Sequence, residues 1–154
     1  MKPPHRKKKH YEELMVRMTK AIAAEFYLEA GWYASAIIED RLVAVLKRSG
    51  GALDSKNKPI RMLGPKLNLI RERRKTDALV RVYFPDEILN AIDKWKNERN
   101  DLMHAMADAS IPLPELDKTA YLLATQGQVL VKSVCRHARQ LKNNRHQIPV
   151  PAVP

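Results

Sequence analysis

The stretch Phe84-Pro-Asp-Glu-Ile-Leu-Asn-Ala-Ile-Asp-Lys-Trp-Lys-Asn-Glu-Arg-Asn-Asp-Leu-Met-His-Ala-Met106 decides the fold class and carries the most suggestive chemistry of the chain. Pro85 suits a helix start, where its missing amide costs nothing, and Asp86 and Glu87 place negative charge where the helix dipole is positive. From there Ile88, Ile92, Trp95, Arg99, Leu102 and Met106 recur at alternating intervals of four and three, the spacing of one face of an α-helix. The spacing predicts a helix to about Asp108. An arginine stands in the middle of its apolar stripe.

The same periodicity extends outward in both directions. Leu14, Met18, Ile22 and Phe26 predict a first helix from about Tyr11 to Ala30, with Gly31 as its left-handed terminator. Ala34, Ile38, Leu42 and Val45 mark a second, stopped by Ser49-Gly50-Gly51. After a loop over 52–58, Pro65 interrupts the next region. One or two short helices are expected there, with Leu67 and Ile70 turned inward. Pro112 and Pro114 restart the chain into a long fifth helix reaching about Leu141. Gly127 inside it marks a close helix contact or a bend.

Five glycines in 154 residues are few for an all-β protein, whose hairpins and bulges need positive φ. The expectation is all-α: an antiparallel bundle of about five helices over residues 11–142. Residues 1–10 read as a solvated basic arm and 143–154 as an extended Pro-rich tail. The single cysteine, Cys135, excludes an internal disulfide, and no Cys/His group has zinc-site spacing. No apolar run approaches a membrane span, and no apolar signal core follows the charged start, so a cytoplasmic protein without membrane attachment is expected.

The net charge of +11 is patterned. Lys and Arg exceed Asp and Glu by five over residues 1–10, balance them over 11–60, and exceed them again by five over 61–83. Residues 84–117 carry an excess of five acids, and 118–154 hold six bases and no acid. Such an excess of bases draws polyanions, chiefly nucleic acid or an anionic membrane surface. Within it, Lys132, Arg136 and Arg139 are spaced i, i+4, i+7 on the fifth helix. With Lys66, Arg71, Arg73 and Arg74 they form either a solvated face or a grip on a phosphate backbone that needs no base sequence. Trp32 and Trp95 fall on core-like faces, which leaves few aromatics for stacking bases.

Arg99 admits two readings. Arginine is rarely buried unpaired, because its guanidinium keeps its charge. It either anchors an ion pair with an acid of another helix, such as Glu39 or Asp40, or offers its planar fork to a phosphate. His104 follows five residues later, about 140° around the helix and roughly 7.5 Å along it, a gap that a long arginine side chain can span. Histidine passes protons in both directions near neutral pH, so Arg99 and His104 with Asn100 make a minimal phosphodiesterase kit. Arg139 and His146 repeat the pair of residue types with six residues between them, but they lie where the last helix frays. Glu98 and Asp101 lack a second histidine to form a cage, so no metal or other cofactor is expected.

The segment Trp95-Lys-Asn-Glu-Arg-Asn-Asp-Leu-Met-His104 resembles the HEPN superfamily, whose signature is Arg, four to six residues, then His, often with Asn directly after the Arg. Gly31-Trp-Tyr-Ala-Ser-Ala-Ile-Ile-Glu-Asp-Arg-Leu42 looks like the second helix of such bundles. Leu63-Gly-Pro-Lys-Leu67 is similar to a segment of the mannitol-operon-repressor branch. The resemblance implies a homodimer through the motif helix, with the Arg and His of both subunits forming one metal-independent endoribonuclease site. Arg99, Asn100 and His104 would be catalytic, RNA the substrate, and the protein a toxin or defence component with an antitoxin or regulatory partner. Many relatives instead only bind nucleic acid or protein, and a non-catalytic regulator is the alternative expectation.

Overall fold

The computed structural model describes residues 4–145, in which the chain forms six helices and no strand. They are α1 (Pro4–Ala23), α2 (Tyr27–Arg48), α3 (Leu63–Arg74), α4 (Ala78–Tyr83), α5 (Asp86–Asp108) and α6 (Leu113–Arg145). The protein is all-α, as the periodicity predicts, and the region after the 52–58 loop holds two short helices, α3 and α4. No helix among the described residues is long and apolar enough to cross a membrane.

Three of the helix ends share one device, and it explains where the sequence misleads. After α1 the amide of Phe26 bonds Ala21 O at 2.8 Å and that of Glu25 bonds Ile22 O at 3.1 Å, with Glu25 at φ 62°. This is a Schellman-type end, in which a left-handed residue lets two amides reach back over the last turn. α2 ends the same way at Gly50, φ 127°, and α5 at Ala109, φ 54°. Only one of these three residues is glycine. The break expected at Gly31 therefore lies at Ala24–Phe26, and Gly31 is buried inside α2. Phe26, placed on the apolar stripe by spacing, is 62% exposed because it belongs to the turn.

α1 also begins earlier than expected. Residues 5–10, read as a solvated arm, are exposed helix, with Pro4 at the start and Lys8 facing Glu12 one turn on at 3.8 Å. Lys and Arg are good helix formers, and an i, i+4 pair adds a little more. The tail behaves similarly at its near end: α6 runs to Arg145, and the rest of the proposed Pro-rich segment lies outside the described residues. Pro65 sits third in α3, where an amide has no intrahelical partner to lose, so the helix need not break. α4 is six residues long and owes its start to Asp77, whose Oδ1 accepts from the amides of Leu79 and Val80.

The chain divides into two compact units. One contains the described residues to Ile38 together with Ala91–Lys132, and the other contains Glu39–Asn90 with the described residues from Ser133. In the first, Met18, Ile37, Ile38, Ile92 and Trp95 are buried, and Trp95 fixes the register of α5. Its Nε1 donates to Leu123 O at 2.9 Å, while a Cβ built on Gly127 would stand 2.9 Å from its ring. Gly127 is thus the close helix contact that the sequence suggested: only hydrogen on its Cα leaves room for the indole. In the second unit the core is formed by residues such as Leu42, Leu46, Leu67, Ile70, Phe84 and Leu141. Leu89 of α5 is fully buried there as well.

Candidate functional site

Arg99 is half-buried on α5, and its guanidinium is held by neutral groups. Nη1 donates to Ser35 Oγ on α2, Nη2 donates to Asn100 Oδ1 at 3.2 Å, and the fork lies 5.8 Å from the Trp95 ring centroid. Ser35 is only 5% exposed, one of few polar residues in the core, and its hydroxyl fixes where the arginine points. Among the described residues no carboxylate pairs with Arg99. The acids that the sequence offered are engaged otherwise: Glu39 by Lys66 and Asp40 by Arg41. Of the two readings of Arg99, the ion pair is not formed: a hydroxyl, an amide and an aromatic face hold the guanidinium, and no carboxylate returns its charge.

His104, the second member of the motif, is exposed on the last turns of α5. Its charge acts on Asp108, one turn later, but as the weaker influence. Hydrogen bonds from Ser110 hold the Asp108 carboxyl below its usual range, slight burial opposes them, and His104 adds to the lowering. Asn100 is exposed, with its Oδ1 on Arg99. The motif thus presents a fixed, inward-leaning arginine and an outward histidine along one helix. Met103 and Met106 are exposed beside them.

The residues proposed to grip a phosphate backbone divide sharply. Lys66 is buried, with Nζ 2.7 Å from Glu39 Oε2 and 3.1 Å from Arg61 O, so it is a core ion pair and no phosphate ligand. Arg73 bonds Leu46 O at 2.6 Å, Ser49 Oγ at 3.2 Å and Gly51 O, which makes it a cap for the end of α2. Burial holds its pKa below the usual arginine value, an effect that the Asp77 charge partly offsets. Arg74 pairs with Asp86, and Arg71 reaches Asn90 Oδ1 at 3.3 Å. Lys132, Arg136 and Arg139 are exposed on α6, as their spacing predicts; His146 lies outside the described residues.

Two features escaped the sequence. Ser35 gave no signal beyond a small polar residue in the apolar run Ala34-Ser35-Ala36-Ile37, and only the arginine opposite gives it meaning. Trp32, assigned to a core-like face, is 67% exposed, whereas Trp95 is 3% exposed. Among the described residues no group of three His, Cys, Asp or Glu is placed to share a metal ion, and Cys135 is a buried free thiol. No family model, curated protein or solved structure matches this chain.

Proposed function

We propose that the protein is a metal-independent endoribonuclease of HEPN type, a toxin or defence component that cuts RNA at a composite site formed by the α5 helices of two copies. The observation that carries this reading is the uncompensated guanidinium of Arg99. A half-buried positive charge, fixed by Ser35 and Asn100 but matched by no carboxylate, gains most from an anion with two oxygens in one plane. His104 lies five residues further on the same helix, exposed and able to take or give a proton. Because Arg99 leans inward and His104 outward, two copies serve the chemistry better than one.

In the mechanism, the ribose 2′-oxygen attacks the adjacent phosphorus as His104 of one copy takes its proton. The bond from phosphorus to the 5′-oxygen then breaks, and the protonated His104 of the other copy supplies the proton that this oxygen needs. Arg99 neutralises the charge that builds on the phosphorane between these steps, and Asn100 keeps the fork oriented. The products are a 2′,3′-cyclic phosphate and a 5′-hydroxyl. Incubating the purified protein with mixed RNA in EDTA should give these ends and leave DNA intact. An antitoxin or regulatory protein would be its partner in the cell.

The second reading is a non-catalytic regulator of the same fold, binding nucleic acid or protein. It is favoured by the prior engagement of Arg99 with Ser35 and by the acidic character of residues 84–117. Intact RNA after incubation with a verified dimer would select it.

A further inference from the structure

We infer that Trp32 is a stacking platform for an unpaired nucleobase of the strand whose phosphate Arg99 binds; this rests on the nucleic-acid reading above and adds a base subsite to it. An indole left 67% exposed loses the gain that burial would give it, although Trp95 shows that the same unit can bury one almost completely. Trp32 sits three residues before Ser35, the residue that holds the Arg99 guanidinium. Residues at i and i+3 share one flank of a helix, with Cβ atoms about 5–6 Å apart, so the indole and the hydroxyl that holds the guanidinium leave the same flank of α2. Ala36, one turn beyond, is exposed and too small to cover the ring, and Glu29, one turn before, is engaged by the Tyr33 hydroxyl at 2.9 Å.

The chemistry gives the platform a purpose. Attack by a 2′-oxygen in line with the departing 5′-oxygen needs a backbone that a stacked A-form helix does not adopt, so the flanking base must leave its stack. Single-stranded segments present such splayed bases to aromatic side chains. Since every base has a π-face, the platform is tolerant of sequence and favours single strands over duplexes. Trp32 is a positioning residue for the base; contact with the reacting phosphate and ribose oxygens is left to Arg99 and His104.

The test uses strands that cannot be cut. A short 2′-deoxythymidine strand and an abasic deoxyribose-phosphate strand of equal length are titrated into the full-length protein, with affinity and tryptophan emission recorded. The wild type should bind the thymidine strand more tightly, with quenching of the exposed indole only. Trp32→Ala should lose about 5- to 150-fold on the thymidine strand and little on the abasic one, the range that base stacking on an aromatic supplies. Trp32→Phe should restore most of the loss, which a merely structural role would not require. Equal affinity of the wild type for both strands, no binding to either, or a Trp32→Ala protein that keeps the base preference but loses its dimer would each overturn the proposal. Failure of RNA cleavage alone would count against the ribonuclease and leave the base subsite standing.

Discussion

In the unit built on residues 39–90 and the end of α6, arginines find acceptors that the fold itself supplies. Arg73 serves the carbonyls of Leu46 and Gly51, Arg74 the carboxylate of Asp86, and Arg145 that of Asp77 at 2.7 Å. In the other unit Arg99 has a hydroxyl, an amide and a ring face, none of which returns a full negative charge. The carbonyls at a helix C-terminus carry partial negative charge, so Arg73 is matched electrostatically even without a carboxylate. Position in a stripe therefore says less about an arginine than the formal or partial charge it meets. Arg73, Arg74 and Arg145 complete the structure, whereas Arg99 meets no full negative charge among the described residues.

The largest effect that would sharpen this contrast is on chemistry. His104→Ala should slow RNA cleavage by about 10²–10⁴-fold, the usual share of general acid or base catalysis. Arg99→Lys should fail comparably, because a point charge cannot reproduce a planar fork. Equal cleavage by wild type and His104→Ala would end the catalytic reading.

Stability should show the reverse order. Arg73→Met removes three hydrogen bonds from a charged donor and takes the arginine from the Gly51 carbonyl, while Leu46 O keeps the amides of Ser49 and Gly51, at a cost of about 3 kcal/mol in urea unfolding. Arg99→Met should cost about 1 kcal/mol or less, since shedding a half-buried charge with no carboxylate partner offsets the lost bonds to Ser35 and Asn100. Similar losses in the two variants would break the comparison.

A smaller effect tests the support beneath Arg99. Gly127→Ala drives a methyl into the Trp95 ring, which must shift. The strain, typically about 1–3 kcal/mol, outweighs the roughly 1 kcal/mol that alanine gains in helix propensity. The net loss should come with weaker phosphate affinity, because the indole under the guanidinium moves. A variant as stable as wild type, with unchanged affinity, would show that Trp95 does not set the position of Arg99.

The smallest effect belongs to Asp77. Burial pushes its carboxyl up, but the hydrogen bond and charge of Arg145 and the amides of Val80 and Leu79 prevail and hold it below its ordinary value. A lowered folded pKa means stability that is present in full above the unfolded value, near 3.9 for aspartate, and lost as pH falls through the folded one. Asp77→Asn keeps a good N-cap and should cost about 1 kcal/mol at pH 7, the upper end for a partly exposed ion pair. That difference should vanish in strong acid. If the wild type keeps its advantage there, the pair with Arg145 does not act through charge.

What was legible in the sequence depended on range. α2, α5 and most of α6 could be read because their apolar residues recur at helical spacing and prolines mark two of their starts. The α1–α2 break could not, because Glu25 adopts a left-handed φ that composition reserves for glycine. α4 is too short to show a period and depends on one aspartate. Of the candidate site, Arg99 and His104 could be located but not their surroundings. Ser35 is 64 residues from Arg99 in the chain, Lys66 meets the Glu39 carboxylate across 27 residues, and Arg73 meets its carbonyls across 22 and 27. A helical phase accurate to one residue still leaves the outer flank of a stripe undecided, which is how Trp32 was assigned inward.

The cap that Arg73 places on α2 has a consequence for local opening. One side chain from α3 holds Leu46, Ser49 and Gly51, so the turn at residues 49–51 cannot loosen without releasing all three contacts. Amide hydrogen exchange there should be cooperative: the amide of Gly51, bonded to Leu46 O at 2.8 Å, should exchange together with the last turn of α2 as one subglobal unit. With Arg73→Met that unit should fray independently, exchanging at a rate set by the helix end alone.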